Sequence, residues 1–96
     1  MARYIVLMNW TEQGIKTVKD SPKRLKKARE MGKKYGVTID EFYLTIGAHD
    51  MVVLMTARDD TGMAKFLLAQ GMGGNIRTVS LKAFEESAYR KIMAGV

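Results

Sequence analysis

The sequence predicts a single α+β domain over residues 1–96, with strands and helices in the order β-α-β-β-α-β and a short helix as a tail. Three observations lead there. Tyr4-Ile5-Val6-Leu7-Met8 and Met51-Val52-Val53-Leu54-Met55 are apolar at every position, as expected of strands at the centre of a sheet. Two longer segments repeat apolar residues at helical spacing and carry start and stop signals. Ninety-six residues suit one domain with a modest core.

Arg3 to Trp10 is the first strand, rich in β-branched and large apolar residues. Thr11 to Lys19 makes a helical turn or two. At Asp20-Ser21-Pro22 the helix restarts, with a capping oxygen followed by proline at a first-turn position where its missing N–H does no harm. Leu25, Ala28, Met31 and Tyr35 recur at helical spacing, and Gly36 closes the helix. Val37 to Ile46 is the second strand, Gly47-Ala48 the turn, and Asp50 to Ala57 the third strand. Asp59-Asp60-Thr61 opens the next helix with acidic side chains at its positive end. Gly71-Met72-Gly73-Gly74 breaks it, Asn75 to Ala83 is the fourth strand, and Phe84 to Met93 the tail helix. This is the ferredoxin-like order, which gives a four-stranded antiparallel sheet with strands one and three in the middle.

Successive strand residues point to opposite faces. The two central strands are apolar on both, and two helices cover only one. A bare apolar face of several hundred Å² is unusual on a soluble monomer. The tail helix is short for that task, so a second copy packed sheet against sheet is the expected cover. Met8, Met51 and Met55 suit such a face, because thioethers fill irregular gaps.

The chain resembles the GYD-domain family of small bacterial and archaeal proteins, named for a Gly-x-Tyr-Asp motif at the hairpin between strands two and three. The resemblance rests on "TEQGIK" (Thr11 to Lys16), "DSPKR" (Asp20 to Arg24), "EFYLTIGAHD" (Glu41 to Asp50) and "GGNIRTVSLKAF" (Gly73 to Phe84), in that order. It implies a dimeric α/β barrel, with sheet-to-sheet dimers and sometimes higher rings. It brings no reaction, since the wider fold carries haem- and flavin-independent monooxygenases, isomerases and binding modules alike. The motif's tyrosine position holds His49 here.

His49 is the only histidine, and Asp50 follows it. Adjacent strand residues leave on opposite faces, which argues against a catalytic His-Asp pair. Asp50 is expected to accept backbone N–H bonds within the turn. His49 is either an exposed turn residue, one paired across a dimer, or part of a site. The topology supplies that site: the end of strand one and the starts of strands three and four meet at one end of the sheet. Asn9, Trp10, His49, Asp50 and Arg77 therefore form a candidate pocket for a small polar or anionic ligand. Trp10 also reads as a core cap, and Arg77 as a surface partner for a carboxylate. Whether any reaction is catalysed stays open.

The formal net charge is +6. Nine basic residues lie between Lys16 and Lys34, opposed only by Asp20 and Glu30. Lys16, Lys19, Lys23, Lys26 and Lys33 fall near one helical stripe, which reads either as a solvated face or as an anion-binding surface for an acidic protein or nucleic acid. Nucleic acid is the weaker partner, because "DMVVLMTA" lacks the aromatics on which an RNA-binding sheet of this topology stacks bases. The glycine run follows a helix and precedes a strand, the reverse of a phosphate loop. With no cysteine and one histidine, neither a metal site nor a cofactor is expected. The apolar runs are too short for a signal-peptide core or a membrane span, so the expected location is the cytoplasm.

Overall fold

The computed structural model describes all 96 residues. The elements are β1 (Ala2–Trp10), α1 (Glu12–Lys16), a 3-10 turn (Val18–Asp20), α2 (Ser21–Tyr35), β2 (Val37–Leu44), β3 (Met51–Ala57), α3 (Asp60–Met72), β4 (Ile76–Ala83) and α4 (Glu86–Ala94). The sheet is antiparallel in the order β2-β3-β1-β4. The two all-apolar strands are its centre. No helix is long and apolar enough to cross a membrane.

The pleat and register divide the central strands. Tyr4, Val6 and Met8 of β1 share a face with Met51, Val53 and Met55 of β3, and all six are buried beneath α2 and α3. Phe66 and Met63 of α3, Ala28 of α2, Val37 and Ile39 of β2 and Ala57 of β3 complete this core. The other face carries Ile5, Leu7, Val52 and Leu54, with Val79 and Leu81 of β4 beside them. Val79 and Leu81 are 55% and 49% exposed. This corrects the expectation for the methionines: Met8, Met51 and Met55 belong to the covered core, and the open face is built of aliphatic residues. α4 does not shield that face. It stands off the end of β4, with only Ala88 partly shielded, and exposes Tyr89, Ile92 and Met93.

Several boundaries move for local reasons. β2 has a bulge between Ile39 and Glu41, where Asp40 is the unpaired residue and accepts from the Thr56 hydroxyl. The bulge resets the alternation, so Val37 and Ile39 and then Phe42 face the helices. The β2–β3 hairpin turns through Thr45 to Asp50 rather than through two residues, with Thr45 N–H donating to the Asp50 carbonyl at 2.8 Å. Asp20 makes no side-chain cap, because the 3-10 turn runs straight into α2. Gly36 does close α2, in the left-handed region at φ 72°. α3 runs through Gly71 to Met72, and the left-handed residue that leaves it is Gly74 at φ 78°.

The Gly73–Asn75 segment is a dock for α1. Thr11 N–H donates to the Asn75 carbonyl at 3.0 Å, the Thr11 hydroxyl to the Gly74 carbonyl at 2.6 Å, and Gln13 Nε2 to the Gly73 carbonyl at 3.1 Å. The loop thus offers carbonyl acceptors, whereas a phosphate cradle offers N–H donors. Gly14 sits against it so closely that a Cβ would lie 2.0 Å from the Asn75 carbonyl oxygen. Gly14→Ala should therefore lower stability by about 1–3 kcal/mol. Gly71→Ala, where a Cβ meets nothing within 4 Å, should leave stability unchanged or raise it by up to about 1 kcal/mol. Urea midpoints of the two variants check this contrast, and equal losses would contradict it.

Candidate functional site

Where β3 starts, the hairpin closes against the end of β1. The Met8 carbonyl accepts from Asp50 N–H at 2.9 Å. Two residues on, Trp10 N–H points the same way, and the Asp50 carboxylate accepts it at 3.0 Å. Asp50 thus supplies the acceptor that the next strand residue would have offered. The carboxylate's partner lies across the sheet on β1, while within the turn it is the Asp50 carbonyl that accepts, from Thr45 N–H.

Asn9 and His49 form a second lock. Asn9 Nδ2 donates to the Ala48 carbonyl at 3.2 Å, which turns its Oδ1 toward His49 Nδ1 at 2.9 Å. His49 Nδ1 must then carry the hydrogen, which leaves Nε2 as a lone-pair acceptor with no partner in the chain. Arg77 pairs with Asn9 in register on its other side. Its guanidinium is exposed and joins no ion pair. His49 and Arg77 therefore flank Asn9 at one end of the open face, each with a free polar group.

Trp10 takes the opposite face. It lines an apolar cleft of about 210 Å³ between α2, α3 and the sheet, together with Leu25, Met31, Phe42, Phe66 and Ile76. The five residues of the expected pocket thus share one end of the sheet but not one wall: Asn9, His49 and Arg77 stand at the open face, Trp10 lines the covered face, and Asp50 ties the two at the backbone. No three His, Cys, Asp or Glu side chains converge anywhere in the chain.

Lys16, Lys19, Lys23, Lys26 and Lys33 are exposed. The first two lie on α1 and the 3-10 turn, and the others on α2. None forms an ion pair within the chain. Arg24, in the same run, does structural work: its guanidinium donates to the Gly14 and Thr17 carbonyls, at 3.2 Å each, and ties α1 to α2.

A polar cluster at the other end of the sheet escapes a reading of the sequence. The Tyr4 hydroxyl donates to Asp60 Oδ1, and Lys82 Nζ meets Asp60 Oδ2 at 2.8 Å. Burial, then the hydrogen bond to Asp60, pushes the Tyr4 hydroxyl up to about 12. The hydrogen bonds from Lys82 and then from Tyr4 hold the Asp60 carboxyl below its ordinary value. The one available signal is that Tyr4 and Lys82 fall opposite each other once the β1–β4 register is known.

The fold defines the class first: a ferredoxin-like α+β domain. It is similar to MtbAldR, at TM-score 0.69 and 13% identity over 88% of this chain. It is also similar to the M. tuberculosis feast or famine regulatory protein complexed with L-methionine, at TM-score 0.68 and 18% identity over 88% of this chain. The chain spans about half the length of these two, 52% and 51%. A protein of Thermus thermophilus matches at TM-score 0.56 and 20% identity, covering 88% of this chain and 95% of that one. Likeness at these identities shows the fold alone. The chain belongs to the GYD domain family, whose profile matches residues 4–93. It is also 30% identical, over 84 residues, to the glutamine synthetase and cystathionine beta-lyase binding protein of Thermus thermophilus, covering 86% of this chain and 88% of that protein.

The geometry sets two expected outcomes. Asp50→Ala, which leaves Trp10 N–H without its acceptor, should cost about 1 kcal/mol in urea denaturation, while Asp50→Asn should keep most of it. The Tyr4 bond is fully present below about pH 10, the ordinary tyrosine value, and is lost as pH rises through about 12. In an ultraviolet titration of the four tyrosines, Tyr43 is also delayed by its hydrogen bond to Glu41, and Tyr4→Phe should remove the component near 12 while leaving the Tyr43 one. The Asp60 contribution runs the other way, present at neutral pH and lost as pH falls through its lowered value.

Proposed function

We propose that the protein is a homodimeric, non-catalytic binding protein, which pairs through its open sheet face and receives an acidic protein surface on the basic exterior of α1 and α2. The observation that carries this is the contrast between its two outer surfaces. One is aliphatic and uncovered, from Ile5 and Leu7 across to Val79 and Leu81. The other is basic, with Lys16, Lys19, Lys23, Lys26 and Lys33 free of intrachain ion pairs. Burying several hundred Å² of apolar surface per copy contributes on the order of 10 kcal/mol before association costs. Pairing by that face turns both basic surfaces outward, which gives a two-sided binder. The GYD relative named for binding two enzymes supports a protein partner over nucleic acid.

Light scattering should give twice the 10.8 kDa chain mass, and Leu7→Asp with Leu54→Asp should halve it. Binding to glutamine synthetase or cystathionine beta-lyase, measured at rising salt, should weaken as the ions screen the lysines. It should be lost when Lys23, Lys26 and Lys33 are changed to Glu. A folded monomer at nanomolar dilution removes the dimer. Salt-independent binding, or tighter binding to duplex DNA than to either enzyme, removes the acidic-protein reading.

A second reading rests on the free groups beside Asn9. The exposed Arg77 guanidinium suits a small anionic group at the hairpin end, and His49 Nε2 beside Asn9 suits a hydroxyl donor on the same ligand. A thermal-shift series with phosphate, sulfate and small carboxylates should then show stabilisation that Arg77→Ala abolishes. Flat curves across the series dismiss it.

A further inference from the structure

The cleft under α2 has a composition that selects a ligand. Its interior is apolar, formed by Trp10, Leu25, Phe42 and Ile76 among others, and the only charged residues lining it are Arg24 and Lys27. No aspartate or glutamate lines it. Both Arg24 guanidinium nitrogens Nη1 and Nη2 are held by the carbonyls of α1 and the Thr17 residue after it. Lys27 makes no ion pair with any acidic group of the chain. Lys27 is thus the one lining residue with an uncommitted charge.

Size narrows the choice. An apolar cavity of about 150 Å³ accepts benzene, so 210 Å³ accommodates an aromatic ring with a short arm. We infer that this cleft is a binding site for a small apolar monocarboxylate, whose ring or short hydrocarbon body packs against Trp10 and Phe42 while its carboxylate meets Lys27. A neutral or cationic analogue of the same body would leave Lys27 unpaired or repelled. The site lies on the covered face of the sheet, away from the surface proposed for pairing, and does not depend on that pairing.

Trp10 is the only tryptophan, so its emission reports occupancy directly. The probes are 3-phenylpropionate, 3-phenylpropanol and 3-phenylpropylamine, titrated into the full chain. The acid should give a saturable change in Trp10 emission, the alcohol weaker binding and the amine weaker still. Lys27→Ala should weaken the acid roughly fivefold without altering the alcohol. Lys65→Ala, on the exposed side of α3, should change neither. Ala69→Leu, which fills the cleft, should abolish the response in a variant whose far-ultraviolet circular dichroism matches the parent. No saturable response to the acid overturns the site. Equal affinity for acid and alcohol, or an unchanged affinity in Lys27→Ala, overturns the carboxylate assignment, and Lys27→Ala is a surface change that leaves the fold intact.

Discussion

A sheet that is apolar on two faces meets a helical layer that covers one. That mismatch organises the rest of the molecule. Phe66, Met63 and Ala28 pack on Tyr4, Val6, Met8, Val53 and Met55, and the chain holds no second layer for Ile5, Leu7, Val52 and Leu54. At 17 Å the thin dimension of the molecule is that of one sheet with one helical layer. α4 could have closed the sandwich, yet it leaves the end of β4 with the Arg3–Glu85 ion pair at its root and its own apolar side chains exposed. Two unpartnered apolar surfaces on one small chain are the physical reason to expect a second copy.

The hairpin end shows how structural need and chemical opportunity compete for the same side chains. Asp50 completes the β1 ladder, and Asn9 binds the Ala48 carbonyl and fixes the His49 tautomer. Both are therefore occupied. What remains available is one imidazole nitrogen and one guanidinium. A His beside an Asp in sequence suggests acid–base chemistry, but the pleat sends the two side chains to different partners. His49 and Asp50 therefore do not form a paired acid and base.

Much of the architecture was legible because periodicity and punctuation agree: the helical stripe of α2, Pro22 in its first turn, Gly36 beyond its end. The facing of β1 and β3 was not, since a strand apolar at every position has no phase of its own. The phase was readable only at the flanks. Arg3 and Asn9 are polar and odd-numbered, so odd residues of β1 belong to the open face, and Met8 does not. The bulge at Asp40 left a similar trace, because apolar residues switch from Val37 and Ile39 to Phe42. The Tyr4–Asp60–Lys82 cluster left only the pairing of Tyr4 with Lys82, legible once the β1–β4 register is known, and the cleft left none. The first joins residues 56 positions apart, and the second is a volume fixed by how far α2 stands from the sheet.

That standoff has an identifiable cause. The cleft of about 210 Å³ is open to solvent along one side, so it escapes most of the roughly 5 kcal/mol that an enclosed void of that volume would cost. A helix free to settle would close such a gap. α2 is not free. Arg24 ties its first turn to the Gly14 and Thr17 carbonyls, Arg29 Nη1 donates to the Ile39 carbonyl at 2.9 Å, and the Gly36 carbonyl beyond its last turn accepts from Arg58 N–H at 2.9 Å. Those polar ties hold α2 to α1 at its start, to β2 through Arg29, and to Arg58 beyond its end. They are compatible with space beneath its middle, where Leu25 and Ala28 look inward and Lys27 stands at the edge. The cleft thus follows from how the helix is anchored, which is why it persists in a core otherwise as closely packed as Phe66 and Met55 make it.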